Sequence, residues 1–306
     1  MDKLNVTDIT LSGFVEIDKY RYLFFCIMFI LYTLIMSGNL TIVYLIWRHK
    51  NLHEPMYIFI AALSFNCCLY STTLYPKLLI DSLSEQQIVS YSACLLQFFM
   101  FYFVGGSEFL LLAAMAYDRY VSICKPLRYP TIMRKTTVSI LLVMSWFLSA
   151  CHFAVQVLLS AQARLCSLTL EGIFCNNSIY TLHCVRSRAL TLFGVVALMD
   201  TVILPMLFTI FTYTRIFIIS HRGCKEFRRK AAETCLPHLV VLFMISCFTF
   251  YDVIIARVES NFPKMARIVM TLQIILYHPV FNPIIYGLKM KEITKHLKSL
   301  FSRNKM

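Results

Sequence analysis

The sequence predicts an all-α membrane protein: a bundle of seven transmembrane helices with the N-terminus outside and the C-terminus cytoplasmic. Three observations carry this. Of the 306 residues, 58% are apolar, and the mean hydropathy is +0.68, too high for a soluble core beneath a polar surface. Seven apolar runs, 22–47, 56–80, 93–117, 138–161, 189–219, 235–256 and 266–288, are each long enough, at about 1.5 Å rise per residue, to cross roughly 30 Å of hydrocarbon. Nineteen of the 29 Lys and Arg residues fall on the side holding Arg119 and the C-terminal tail, and the positive-inside rule places that side in the cytoplasm. The runs use nearly the whole chain, so residues 1–306 form one domain, with 289–306 as a cytoplasmic tail. The net charge of +13 belongs to inner loops that face anionic lipid, which argues against a nucleic-acid partner.

Before the first run, Asn5-Val6-Thr7 is a glycosylation sequon on the outer side. The first twenty residues are polar and the first run is of spanning length, so the expectation is a signal anchor and no cleaved signal. Gly38-Asn39 within that helix fits close packing, the asparagine bonding across the bundle. The second helix starts at LHEPMY, where Pro55 suits a first turn. Tyr75-Pro76 near its outer end predicts a kink.

Cys94 opens the third helix. Phe101, Tyr102, Gly105 and Phe109 share a face with a gap at Gly105, which either admits another helix or leaves space for a ligand. Glu108 is a membrane-embedded acid and a functional candidate. At the inner end, Asp118 and Arg119 stand side by side within MAYDRYVSICKPLRY. The fourth helix carries Trp146, read as a packing residue, and His152 and Gln156. The following outer loop holds Cys166, Cys175 and Cys184. With Cys94 these are four of the 12 cysteines, on the oxidising side, and three pairings are open to them. Asn176-Asn177-Ser178 in that loop is another sequon.

In helix five, Asp200 should face the bundle and find a partner in His152 or Gln156. The basic segment from Ser220 to Lys230 is too short to fold alone and presents a cationic surface. Helix six carries His238, read as a hydrogen-bonded packing residue, and near its outer end Asp252, expected at the headgroups or beside Arg257. Helix seven ends in HPVFNPIIYGLK, whose two prolines free backbone carbonyls that neighbours must satisfy. Apolar residues near helical spacing between the lysines of the tail predict a helix on the inner membrane surface. No phosphate-cradling loop, HExxH, GxSxG or paired CxxC motif occurs, so an enzyme is not expected, nor a metal or cofactor.

Gly38-Asn39, LHEPMY at 52–57, MAYDRYVSICKPLRY at 115–129, Tyr213, KAAETCLPH at 230–238 and NPIIYGLK at 282–289 together resemble the vertebrate odorant receptors, within the rhodopsin-like G-protein-coupled receptors. The resemblance covers nearly the whole chain. It implies that Arg119 pairs with Asp118 at rest and is released, with Tyr120 beside it, toward a G protein. It implies that Tyr213 and Tyr286 line the rearranged inner cavity, that His238 is part of the helix-six switch, and that Asn282 is among the coupling and switch residues. It also implies disulfides joining Cys94 to Cys175 and Cys166 to Cys184. The partners it implies are a small organic odorant, the lipid membrane and a heterotrimeric G protein of the adenylyl-cyclase-stimulating type, at the plasma membrane of sensory cilia. The expected ligand contacts are Phe101, Tyr102, Gly105, Gly106, Leu198, Thr201, Val202, Thr249, Val253, Leu272 and Ile275.

Three positions depart from the family pattern. Cys67 replaces the usual helix-two acid, which bears on a sodium site. Ile245-Ser246-Cys247 replaces the aromatic-glycine triplet of helix six, so the pocket floor differs. The residue pair before the tyrosine of NPIIYGLK also differs. Alternatives are a rhodopsin-like receptor for a non-odorant molecule, or a seven-helix channel or transporter. A retinal protein would need a lysine between Lys264 and Lys289, and there is none. An amine receptor of the wider class would place an acid in the outer third of helix three, where this chain has Phe101 and Tyr102.

Overall fold

The computed structural model describes residues 8–14, 18–185, 187–221, 223–255, 264–289 and 291–303. Asn5 and Arg257 lie outside the described residues, as do the side chains of Val253 and Tyr286. The helices are α1 (Arg21–Arg48), α2 (Pro55–Leu83), α3 (Tyr91–Cys124), α4 (Lys135–Ala161), α5 (Arg188–His221), α6 (Lys225–Ile255), α7 (Lys264–Lys289) and α8 (Lys291–Arg303). Of these, α1 to α5 are long and apolar enough to cross a membrane, and α6 holds a shorter apolar stretch, His238–Asp252. Several helices outrun their apolar runs, most of all α6, which begins at Lys225, and α3, which carries Asp118 and Arg119 inside the helix. Apolar runs mark only the length in hydrocarbon, whereas backbone hydrogen bonding continues past that boundary in residues of good helix propensity.

Local chemistry sets the helix starts. Pro55 sits in the first turn of α2, where its missing N–H is no loss. The Ser90 hydroxyl accepts from the Ala93 amide (3.3 Å) at the head of α3, and Ser187 accepts from Leu190 (3.4 Å) at the head of α5. Within α5 the chain widens into a π turn at Met199–Ile203, just before Pro205; the proline cannot donate, and a widened turn there changes which residues face inward.

Helix α3 is the central element, packed on α2, α4, α5 and α6, while α1 lies against α2 and α7. Asn66 binds three helices together: its amide donates to the Val104 carbonyl (2.9 Å), and its oxygen accepts from Ser107 (3.0 Å) and Trp146 (3.2 Å). Burying these groups is tolerable because each is paired. The two prolines of α7 are handled in the same way. Pro279 cannot donate to the carbonyl of Ile275, and Tyr75 donates to it instead (3.4 Å). Pro283 cannot donate to the carbonyl of Pro279, and Asn39 takes it (3.2 Å). A Cβ on Gly38 would meet Pro283 at 3.3 Å, so the Gly38-Asn39 pair supplies both the room and the donor for the second proline.

The end of the bundle remote from Arg119 is covered by loops. Cys94 is bonded to Cys175 and Cys166 to Cys184, the same pairs the family resemblance implies. A small sheet of order β2-β1-β3 lies there: β1 (Asp8–Leu11) runs antiparallel to β2 (Ile88–Ser90) and parallel to β3 (Thr169–Leu170). In it Ile9 faces Val89 and Thr10 faces Thr169. Gly13 crosses Gly172 so closely, donating to its carbonyl at 3.1 Å, that a Cβ would stand 2.6 Å from the Gly172 backbone. Strands this short leave no periodicity to read in a sequence.

Candidate functional site

A cavity of about 370 Å³ opens beneath these loops, between α3, α4, α5, α6 and α7, within the size range of small-molecule sites. Of the ligand contacts expected from the sequence, Phe101, Tyr102, Gly105, Gly106, Leu198, Thr201, Val202 and Thr249 border it. Leu272 and Ile275 do not. Both belong to the apolar cluster of α1, α2, α3 and α7 beside it, and Ile274 is the α7 residue that borders the cavity. A helix apolar on most sides offers no pattern from which its rotation can be read. The side chain of Val253 lies outside the described residues.

The two glycines of α3 divide the roles that the sequence left open. A Cβ on Gly106 would meet Ser149 Oγ at 2.7 Å, Phe153 at 3.0 Å and Thr201 at 3.3 Å, whereas a Cβ on Gly105 would meet nothing within 4 Å. Gly106 borders the cavity but its side-chain position is filled by α4 and α5, whereas Gly105 leaves space open to the cavity. Ile245, first of the three residues that depart from the family pattern in helix six, forms part of the wall. Ser246 turns back to the Leu242 carbonyl (2.6 Å), and Cys247 is exposed.

The loop side of the cavity is polar, and its centre is Asp252. The sequence predicts this acid at the headgroups or beside Arg257, but its side chain is buried and borders the cavity. Its carboxylate accepts from the Tyr102 hydroxyl (2.6 Å), Asn176 Nδ2 (3.1 Å) and Asn177 Nδ2 (3.1 Å). The Asn177 amide in turn donates to the Tyr102 oxygen (2.9 Å). Helices α3 and α6 and the loop after Cys175 thus meet at one carboxylate. The only signal for it in the sequence was an acid near a helix end, which does not distinguish inward from outward. Asn176 is the acceptor of the loop sequon, so the atom that glycosylation would modify is here bonded to Asp252.

Beside this cluster, Tyr180 donates to Gln156 Oε1 (2.9 Å), and burial pushes the Tyr180 phenol above its ordinary range, with Tyr91 and Asp252 adding to the shift. Tyr91 donates to the Ser160 carbonyl (2.7 Å) and lies 3.1 Å from His183 Nε2. Burial holds the His183 imidazole below its ordinary value of 6.5, favouring the neutral ring. Asp200 is not among the lining residues. It stands 3.3 Å from His152 at the α4–α5 boundary with its side chain 38% exposed; of the two partners expected, Gln156 is taken by Tyr180.

At the opposite end, Arg119 Nε donates to Asp118 Oδ2 (2.8 Å), a second guanidinium nitrogen contacts the same oxygen, and the Tyr129 hydroxyl donates to Oδ1 (2.8 Å). Asp118 is fully buried. Burial and the adjoining Asp118 carboxylate push the Tyr129 phenol up. The ring of Tyr213 stacks toward His238 with centroids 6.5 Å apart, in a cluster of α3, α5 and α6 that includes Cys235 and borders Tyr120. Lys125 lies over the Tyr120 ring. Midway along the bundle, Asn282 donates to Cys67 Sγ (2.9 Å) and to Glu108 Oε1 (3.4 Å). Among the described residues no group of His, Cys, Asp and Glu side chains is disposed to hold a metal.

A family model of olfactory receptors matches residues 25–304. Human Olfactory receptor 4S2 is 32% identical over 314 residues, covering 99% of this chain and 97% of that protein. Human Olfactory receptor 4Q2 is 34% identical over 316 residues with the same coverage, 99% and 97%. Among solved structures, that of squid rhodopsin superposes with a TM-score of 0.76 at 18% identity, covering 93% of this chain and 86% of that one; at that identity the likeness shows the fold alone. These matches are to receptors, not enzymes, and the apolar helices fit a multi-pass membrane protein.

Proposed function

This chain belongs to the olfactory receptor family, and we propose that it binds a small organic odorant in the loop-covered cavity and activates a G protein of the adenylyl-cyclase-stimulating type. Residues 1–306 act as a single receptor domain at the plasma membrane of sensory cilia, with the loops outside and the Arg119 end in the cytoplasm. One observation carries the reading: a cavity of small-molecule size bordered by α3, the helix that also carries the hydrogen-bonded Asp118–Arg119 pair at the other end. The ligand contacts are Phe101, Tyr102, Gly105, Gly106, Leu198, Thr201, Val202 and Thr249, with Ile274 in place of Leu272 and Ile275. Asp118, Arg119, Tyr120, Tyr213, His238, Asn282 and Tyr286 form the coupling and switch residues.

A ligand drives such a protein only by its differential affinity for the active state. Shifting an equilibrium from about 1:99 to 99:1 takes roughly 5.5 kcal/mol. Helices α3 and α6 reach from the cavity to the Arg119 end, so ligand contacts that reposition α6 also reposition the His238–Tyr213 stack. Arg119→Ala should abolish ligand-driven cyclic AMP in cells expressing the full chain while leaving surface expression in place. Unchanged signalling by that variant would overturn the role given to Arg119, and cyclic AMP that never rises with any odorant, while another second messenger does, would overturn the G-protein assignment.

A further inference from the structure

We propose that the ligand of this cavity carries a protonated amine, anchored on the carboxylate of Asp252. The inference rests on the reading of the cavity as the ligand site and names the chemistry that site selects. Three neutral donors hold the carboxylate: the Tyr102 hydroxyl, Asn176 and Asn177. Oδ2 receives two of these bonds and Oδ1 one. A carboxylate offers about four acceptor sites, so a position at Oδ1 is open to a further donor. The donors fix the carboxylate in place, but they supply no opposite charge.

The rest of the cavity supplies none either. Among the described lining residues there is no lysine or arginine, and Asp252 is the one acid; burial shifts His183 toward its neutral form. The site therefore carries an uncompensated negative charge in surroundings that screen it weakly, where an ammonium group is drawn in and a carboxylate ligand is repelled. Aromatic rings of the wall, Tyr102, Tyr180 and Phe248 among them, add π faces that attract a cation. The anchor comes from α6 and the loop, not from the face of α3, where Phe101 and Tyr102 stand, so the absence of an acid there does not argue against an amine.

The test uses the full-length receptor with hexyl and phenylethyl series, each as the primary amine, the alcohol and the carboxylate. Binding is read by thermal stabilisation of the purified receptor and activation by GTP exchange. The amines should stabilise and activate, the alcohols should act weakly, and the carboxylates should do nothing. Asp252→Asn should weaken the amines on the order of a hundredfold, the cost of removing one partner of a buried charge pair, and Asp252→Glu should restore much of the response. Alcohols or carboxylates that outperform the amines, or silence to every amine in both readouts, would overturn the inference, as would a surface-expressed Asp252→Asn that answers amines as wild type does. If Asp252→Asn does not reach the surface, the ranking on the wild-type receptor decides alone. Alcohols acting without amines would leave the receptor reading standing, while amines that bind without GTP exchange would sink that reading and keep the anchor.

Discussion

Gly105 and Gly106 are adjacent, identical in type and opposite in consequence. The space at Gly105 is open to the cavity, whereas that at Gly106 is already filled by Ser149, Phe153 and Thr201. Gly105→Leu should therefore abolish odorant response by occupying the cavity, with thermal stability close to wild type. Gly106→Leu should force α4 and α5 off α3, an overpacking cost of about 1–3 kcal/mol, visible as a lower melting temperature of the purified receptor whether or not ligand is present. Paired melting curves with and without odorant separate the two. Equal loss of stability in both variants would contradict the division of roles.

In α7 the consequence reaches whole elements. Its prolines strand the carbonyls of Ile275 and Pro279, and Tyr75 and Asn39 take them up. Replacing Asn39 by Leu leaves the Pro279 carbonyl buried without this donor, which costs about 1–3 kcal/mol. The variant should melt at a lower temperature than Tyr75→Phe, whose lost bond is the longer of the two at 3.4 Å. A melting point unchanged in Asn39→Leu would mean that the carbonyl finds another donor. Gly38-Asn39 and the two prolines were each legible in the sequence as packing and hinge features, and the partnership between them follows from counting four residues back from each proline. Helix existence was legible for the same reason: hydrocarbon demands long apolar runs. Helix rotation was not, because α7 is apolar on several sides, and so Ile274 faces the cavity where Leu272 and Ile275 were expected. The inward turn of Asp252 was equally hidden, since its donors lie 150 and about 75 residues away in the chain, and pairings at that distance leave no local pattern. The small sheet beside the loops rests on strands of four residues or fewer, below any readable period.

At the scale of the molecule, the cavity end and the Arg119 end are two polar clusters joined by apolar helices, and the energetics of the second can be probed without touching the first. Asp118 is buried and holds Arg119 while accepting from Tyr129. Tyr129 opens a four-residue helix, Tyr129–Ile132, beyond α3, so its hydroxyl fastens the connecting segment to the charge pair. In Tyr129→Phe the carboxylate loses one bond of the charge-assisted kind, worth about 1.5–3 kcal/mol. That loss falls on the resting state, where the Asp118–Arg119 pair is closed, and a difference of about 1.4 kcal/mol is a factor of ten in population. Basal GTP exchange should accordingly rise roughly ten- to a hundredfold at matched surface expression, with the odorant-saturated maximum little changed. Basal exchange that stays at the wild-type level would show that the bond is kept, or lost, equally in both states, and that the restraint on Arg119 lies elsewhere.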